Sequence, residues 1–457
     1  MEVIVVGGGI AGLSLALSLH QAGIAACVYE AVADPKPVGA GMNLQPTAVR
    51  ELTELGLGDE LARIGFATGH LGLHNKFGQL ICREPRGLRA GYRWPQYSIH
   101  RGELQMLLMR AVRDRAGPGS VRCGLTLTDI EQKADKVVAC FCDAGGTPVR
   151  VEGDVLVGAD GIRSAVRRYL YPHEGQPRFG GQVLWRGELD ARPFLDGATM
   201  IIAGHLGQRA VVYPMGPGSR PGWLRTNWIC QIDVPDAAPP PEEWSRQTTT
   251  EEVLAEFSGW RFPWLDIAAL VAATNRIYEF PLVDRDPIDR WTEGRVTLIG
   301  DAAHPMYPIG SQAGSQAIID ARVLTLWLLA MSDPREALLR YDAVRRPAMH
   351  EVTLRNRAFG PEAAMQLVEE RAPNGFSRIE DVISAQELEA ITASFSRAAG
   401  LDVDAVNDRR SYVEAPALSQ SHPEPASSDC ARPTASETAL DLVDGPLRVE
   451  SDKGSSG

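Results

Sequence analysis

Three glycines and three carboxylates carry the chemistry this chain displays most openly. Gly7, Gly9 and Gly12 follow the apolar run Val3-Ile4-Val5-Val6 with the spacing Gly-x-Gly-x-x-Gly. In that pattern the first glycine turns the chain tightly off a strand. The second leaves room for a pyrophosphate to approach the backbone, and the third lets a helix pack closely on the sheet. The free N–H groups and positive dipole end of that helix then face the phosphates. Glu30 closes the next apolar run, Ala25-Ala26-Cys27-Val28-Tyr29. A carboxylate there can accept hydrogen bonds from a ribose diol. These residues point to a dinucleotide and do not distinguish FAD from NAD.

Two later aspartates repeat one theme, an apolar strand ending in a small residue and an acid. They are Asp160, in Val155-Leu156-Val157-Gly158-Ala159-Asp160-Gly161, and Asp301, in Val296-Thr297-Leu298-Ile299-Gly300-Asp301-Ala302-Ala303-His304. Either aspartate, taken alone, also suits a plain helix cap. At the carboxyl end of a strand, where open α/β sheets place their ligands, Asp301 can accept a bond from a sugar-alcohol hydroxyl. Fingerprint and both aspartates together indicate FAD. His304 reads as a structural histidine rather than an acid or base, and no metal or Ser/His/Asp constellation stands out.

The elements that must position these residues are legible in outline. Residues 3 to 30 read as strand, turn, helix and strand, the start of a βαβ unit, with Ile10, Leu13, Ala16 and Leu17 forming a buried stripe. Helical patterns follow over 48–61 and 101–116. Short strands fill 68–98, including 71–74 and 75–78, and alternating strands fill 121–157. A second β-rich region spans about 180–280, interrupted by the Pro-rich stretch 237–241, expected to be a surface loop. Helices are expected over 315–330, 334–343 and beyond Pro347. From about residue 414 the composition is that of a disordered tail.

Bulk properties narrow the class. A chain of 457 residues with 44% hydrophobic and 23% charged residues suits a globular enzyme of several domains. A formal charge of -12 argues against nucleic acid and anionic membranes as partners. Seven scattered cysteines form no disulfide ladder, and Cys140-Phe141-Cys142 reads as ordinary strand. No run approaches the roughly 20 apolar residues of a membrane span, and the first residues form a core strand without a basic leader. A cytoplasmic setting is expected.

Taken in this order, the three motifs resemble the single-component FAD-dependent aromatic hydroxylases of the para-hydroxybenzoate hydroxylase type. Within that family, Tyr97-Ser98-Ile99-His100-Arg101-Gly102-Glu103-Leu104-Gln105-Met106, Gly158–Ile162 and Pro281-Leu282-Val283-Asp284-Arg285-Asp286-Pro287 are most similar to the methylphenazine-carboxylate monooxygenases. The resemblance implies an α/β fold: a Rossmann-like FAD-binding domain, an interleaved β-sheet substrate domain and C-terminal helices. The implied division is 1–70, 98–178 and 276–345 for FAD, 71–97 and 179–275 for substrate, 346–413 for the helices and 414–457 for the tail. It also implies NAD(P)H as a transient co-substrate, O2, and a flavin C4a-hydroperoxide that hydroxylates an aromatic or N-heteroaromatic small molecule, with or without decarboxylation. No side chain is singled out as catalytic. Gly7, Gly9, Gly12 and Glu30 would hold the ADP half of FAD. Arg101 would reach the phosphate and ribityl region, with Gln105 one helical turn on; Asp160 would lie near the pyrophosphate and the pyridine nucleotide, and Asp301 would hold the ribityl chain.

The flavin-ring loop departs from the family pattern, which has two glycines three places apart after a proline. Here Gly310-Ser311-Gln312-Ala313-Gly314 places Ala313 at the second, with Gly314 one place on. Alanine is costly there if the backbone needs positive φ. Trp185, Tyr213, Trp228, Met306 and Tyr307 are candidate pocket walls, because flat aromatic ligands pack well on such side chains. Two other readings stay open: a flavin reductase of another kind, and a non-catalytic carrier with a nucleotide fold. Neither the substrate nor the oligomeric state is legible.

Overall fold

The computed structural model describes residues 1–234 and 246–413. The Pro-rich stretch 237–241 and the tail from 414 lie outside them. Five parallel strands form the first sheet, in the order Val296–Leu298, Val155–Gly158, Glu2–Val6, Ala25–Glu30, Val121–Cys123. Glu2–Val6 is central, and Val3 to Val6 are all buried. A strand covered on both faces reads as an unbroken apolar run. The helix Ile10–Gln21 is buried along Ala11 to Leu19 and packs against Arg101–Ala116 and Ala313–Ala330. Tyr29 stacks on Phe141 of a small antiparallel sheet (Thr126–Gln132, Val137–Cys142, Pro148–Gly153), at 4.6 Å between centroids.

An eight-stranded sheet makes the second half. Its order is Arg246–Thr248, Ile277–Asp284, Arg178–Ala191, Leu224–Asp233, Gln208–Pro217, Thr199–His205, His70–His74, Leu80–Pro85. Ile277–Asp284 pairs along Arg178–Ala191, so this strand belongs to the large sheet. A further three-stranded sheet joins Gly41–Leu44, Gln96–His100 and Gly65–Thr68.

Three local expectations change. The helix expected over 48–61 is two helices, Pro46–Glu54 and Gly58–Ile64, broken at Gly56 with φ +71°. Residues 75–78 form a turn rather than a strand, because the Asn75 side-chain oxygen accepts from the backbone N–H groups of Phe77 and Gln79. The helix Pro334–Arg357 continues through Pro347 instead of ending near 343. No helix among the described residues is long and apolar enough to cross a membrane.

Candidate functional site

Strand register builds the site. Val6 lies opposite Gly158, and Gly158 opposite Leu298. The three strand tips therefore end side by side. Ala159 N donates to Val6 O at 2.8 Å and Ile299 N to Gly158 O at 2.9 Å. The glycine turn, Asp160 and Asp301, far apart in sequence, thus open onto one cavity of about 720 Å³.

Gly7 sits at φ +108°, and a Cβ there would lie 2.4 Å from Ala159 O, so both conformation and space demand glycine. A Cβ on Gly12 would fall 2.1 Å from Gly7 O; this residue seats the helix on the turn and does not line the cavity. Gly9 differs, because a Cβ there meets no protein atom within 4 Å. Gly9 is also the N-cap of Ile10–Gln21, and no side chain caps that helix. Uncapped N–H groups facing open space are what a pyrophosphate requires. The residues present therefore fit the ADP half of FAD.

The Glu30 oxygens accept from Gly8 N at 2.7 Å and Val32 N at 2.8 Å, which fixes the carboxylate at the cavity wall. Gln105 Nε2 donates to Gly8 O at 2.8 Å and so steadies the glycine turn. Arg101 starts its helix, and its exposed side chain reaches the cavity without a hydrogen bond or ion pair among the described residues. Asp160 accepts from Ser164 Oγ at 2.5 Å and from Ala165 N at 2.7 Å. Burial pushes its carboxyl above the usual range, and these bonds oppose the shift. Asp301 is exposed to the cavity and makes no side-chain bond among the described residues.

Several positioning residues lie outside what the motifs suggested. Arg167, on the helix capped by Ser164, donates Nη1 to the carbonyls of Ala302 and Ala303 at 3.2 and 2.8 Å, tying the two aspartate turns together. Arg285 donates Nε to Ile162 O at 2.7 Å, and Asp284 pairs with Arg357 at 2.6 Å. Asp320 accepts from Gly300 N at 3.0 Å and lies 2.5 Å from His304 Nε2 and 2.8 Å from Arg345 Nε. His304 is thus a buried structural partner and not a cavity residue.

The loop carrying Ala313 answers the question its sequence raised. Positive φ falls on Gly310 at 62° and Ser311 at 56°, while Ala313 begins the helix Ala313–Ala330. A serine in the left-handed region is strained by about 1 kcal/mol. Ser311→Gly is therefore expected to stabilise the protein by up to about 1 kcal/mol in urea denaturation. Ala313→Gly is expected to leave FAD binding unchanged in a flavin titration. A large loss of flavin would show that the register of this loop is wrong. Gly314 instead allows close approach, since a Cβ there would lie 2.3 Å from Met42 Cε.

The expected pocket walls divide. Tyr213 and Met306 line the cavity; Trp185, Trp228 and Tyr307 do not. Side chains alternate along a strand, so Leu184 and Arg186 face the cavity while Trp185 faces away, and Ile229 faces it while Trp228 faces away. Trp185 and Trp228 instead join Phe257, Trp260 and Ile267 in a separate core. Their indole N–H groups bond Glu279 at 2.9 Å and Thr274 at 2.8 Å. Tyr307 packs behind the wall with Leu184, Leu282 and Ile309. The floor residues that the sequence did not single out are Arg186, Arg209 and Gln231. Their one signal was a polar residue at the inward phase of an alternating strand.

Known proteins share the sequence and fold of this chain. The profile of the family described as "FAD binding domain" matches residues 1–356. The chain is 42% identical over 362 residues to a phenazine 1,6-dicarboxylic acid hydroxylase of Lysobacter antibioticus, covering 78% of this chain and 89% of that one. It is 36% identical over 393 residues to a 3-amino-4-hydroxybenzoate 2-monooxygenase of Streptomyces platensis, covering 83% and 94%. Among solved structures, Klebsiella pneumoniae HpxO complexed with FAD and uric acid superposes with a TM-score of 0.71 at 26% identity, covering 88% of this chain and 98% of that one.

Proposed function

This chain belongs to the FAD binding domain family of flavin-dependent aromatic hydroxylases, and on that premise we propose how its own residues serve that reaction. The protein is an FAD-dependent monooxygenase acting on an aromatic or N-heteroaromatic small molecule with NAD(P)H and O2. Bound FAD supplies the acceptance of two electrons from the nicotinamide and the activation of O2. The chain supplies binding, orientation and the exclusion of water.

In this reading Gly7 and Gly9 admit the pyrophosphate, and the N-terminus of Ile10–Gln21 meets its charge. Glu30 holds the adenosine ribose, Asp301 a ribityl hydroxyl, and Arg101 reaches the phosphate and ribityl region. Asp160 keeps the neighbouring turn in place. The loop 308–314 meets the flavin ring, and the substrate lies between this loop and the floor of the large sheet. Phe395 helps to close that space, because it packs against Gly310: a Cβ on Gly310 would lie 2.3 Å from the Phe395 ring. The observation that carries the reading is continuity, since one cavity joins the glycine turn, both aspartates and the floor of the large sheet.

The test is a screen of phenolic, phenazine and quinoline acids with the purified yellow protein. Some of them are expected to stimulate NAD(P)H oxidation coupled to O2 uptake. The product should gain one oxygen, or gain one oxygen and lose CO2 if the attacked carbon bears the carboxylate. Nicotinamide oxidation without matching O2 uptake would indicate a reductase instead, and a colourless protein that binds no FAD would indicate a carrier.

A further inference from the structure

The cavity floor is a grid fixed by register. Arg186 lies opposite Ile229, Ile229 opposite Val211, Val211 opposite Ile202, and Ile202 opposite Leu73. This row is apolar except at its Arg186 end. The neighbouring row runs Leu184, Gln231, Arg209. A planar ring laid on the apolar row therefore has one arginine at the end of its own row. A second lies diagonally across, two strand spacings over and two residues along, roughly 12 Å away.

The two guanidiniums are in different electrical states. Arg209 is 1% exposed, with Nη1 2.5 Å from Glu362 Oε2, and it donates Nε and Nη2 to Gln231 Oε1 at 3.2 and 2.9 Å. Burial pushes Glu362 up and Arg209 down, and their mutual attraction opposes both shifts. The charge at that corner is cancelled in place. Arg186 has no hydrogen bond or ion pair among the described residues; its guanidinium lies over the Phe280 ring, 5.9 Å from the centroid, within electrostatic reach of Arg101 and Tyr213. Burial pushes its pKa down, yet a guanidinium keeps its charge in proteins. Its N–H donors face the cavity with no protein acceptor among the described residues, so a ligand there can supply one.

Resting on the hydroxylase reading above, we propose that Arg186 anchors an anionic group, a carboxylate, carried on the ring of the aromatic substrate. Glu362 withholds the second floor cation by pairing with Arg209. The pair Arg186 and carboxylate matches fork to fork, and it orients the ring along the apolar row. Glu362 lies beyond residues 1–356 that the family profile matches, so this restriction comes from the C-terminal segment.

The test is binding to the FAD-loaded enzyme by calorimetry, using matched acid and amide probes. These are phenazine-1-carboxylate with its carboxamide, and 3-amino-4-hydroxybenzoate with its benzamide. At least one acid is expected to bind more tightly than its amide. Arg186→Gln should weaken that acid about 10- to 100-fold while leaving the amide within about threefold, and Arg186→Lys should restore part of the loss. Glu362→Gln should tighten phenazine-1,6-dicarboxylate about tenfold relative to the monocarboxylate. Equal losses of acid and amide in Arg186→Gln, or no acid preference in the wild type, would overturn the anchor. So would failure of all four probes to bind. An unchanged ratio in Glu362→Gln would overturn the role of Glu362. Should the acids bind as expected yet produce no O2-coupled NAD(P)H oxidation, the functional reading falls and the anchor stands.

Discussion

Gly9→Ala is expected to leave the apoprotein folded while weakening FAD binding about 10- to 100-fold, whereas Gly12→Ala should lower the stability of the fold itself. The two glycines sit three residues apart in one fingerprint, but their surroundings differ. Gly9 has φ -79° and ψ -175°, a backbone any residue adopts. A methyl there meets no protein atom, so the folded apoprotein tolerates it. It occupies the space that a pyrophosphate would use, and an overpacked contact of about 1–3 kcal/mol gives the stated loss. At Gly12 the methyl falls 2.1 Å from Gly7 O, so the helix must move off the turn. That overlap is with backbone and should cost about 3 kcal/mol, the upper end for overpacking. Flavin titration and urea denaturation of both variants check this. Equal loss of stability in the two would show that Gly9 does not border a ligand space.

The second large effect is expected at Asp320. This carboxylate is fully buried, and it joins Gly300 N, His304 and Arg345. Burial alone would raise its pKa; His304, Arg345 and the Gly300 N–H outweigh burial and bring it to about 2. Asp320→Asn leaves Arg345, 3% exposed, without its charge partner. Breaking such a buried pair costs about 3–5 kcal/mol at neutral pH. The sign of the pH dependence follows from the depressed pKa. The stabilisation is complete above the unfolded-state value near 3.8 and is lost as pH falls toward about 2. Wild type and variant should therefore differ most in urea midpoint at pH 7 and converge between about pH 4 and pH 2. The variant should also lose flavin, because Asp320 holds the Gly300 turn beside Asp301. A variant as stable as wild type at pH 7 would remove this account.

Much of the nucleotide half was legible because its demands are local. A glycine needed for positive φ, an apolar strand buried on both faces and a carboxylate at a strand tip each declare themselves within a few residues. Gly7, Val3-Ile4-Val5-Val6 and Asp301 are of that kind. The loop at 310–314 was legible only by analogy, and the positive φ falls on Ser311 rather than at Ala313. The dipeptide Trp185-Arg186 shows the limit of the strand pattern. Alternation declares that the two residues face opposite ways, but not which way.

That choice was made by packing. Thr250–Phe257 and Ile267–Ala272 cover one face of the large sheet and draw Trp185 and Trp228 into their core. Arg186 is left on the cavity face. The same holds for Arg209 and Glu362, which meet only because a segment 153 residues later folds over the floor. The sequence alone determined the cofactor class and the strand tips that open onto the cavity, since those rest on backbone conformation and short-range burial. Tertiary structure alone decided the cavity floor and its charges, since these depend on which elements cover each sheet face and on pairings between distant segments.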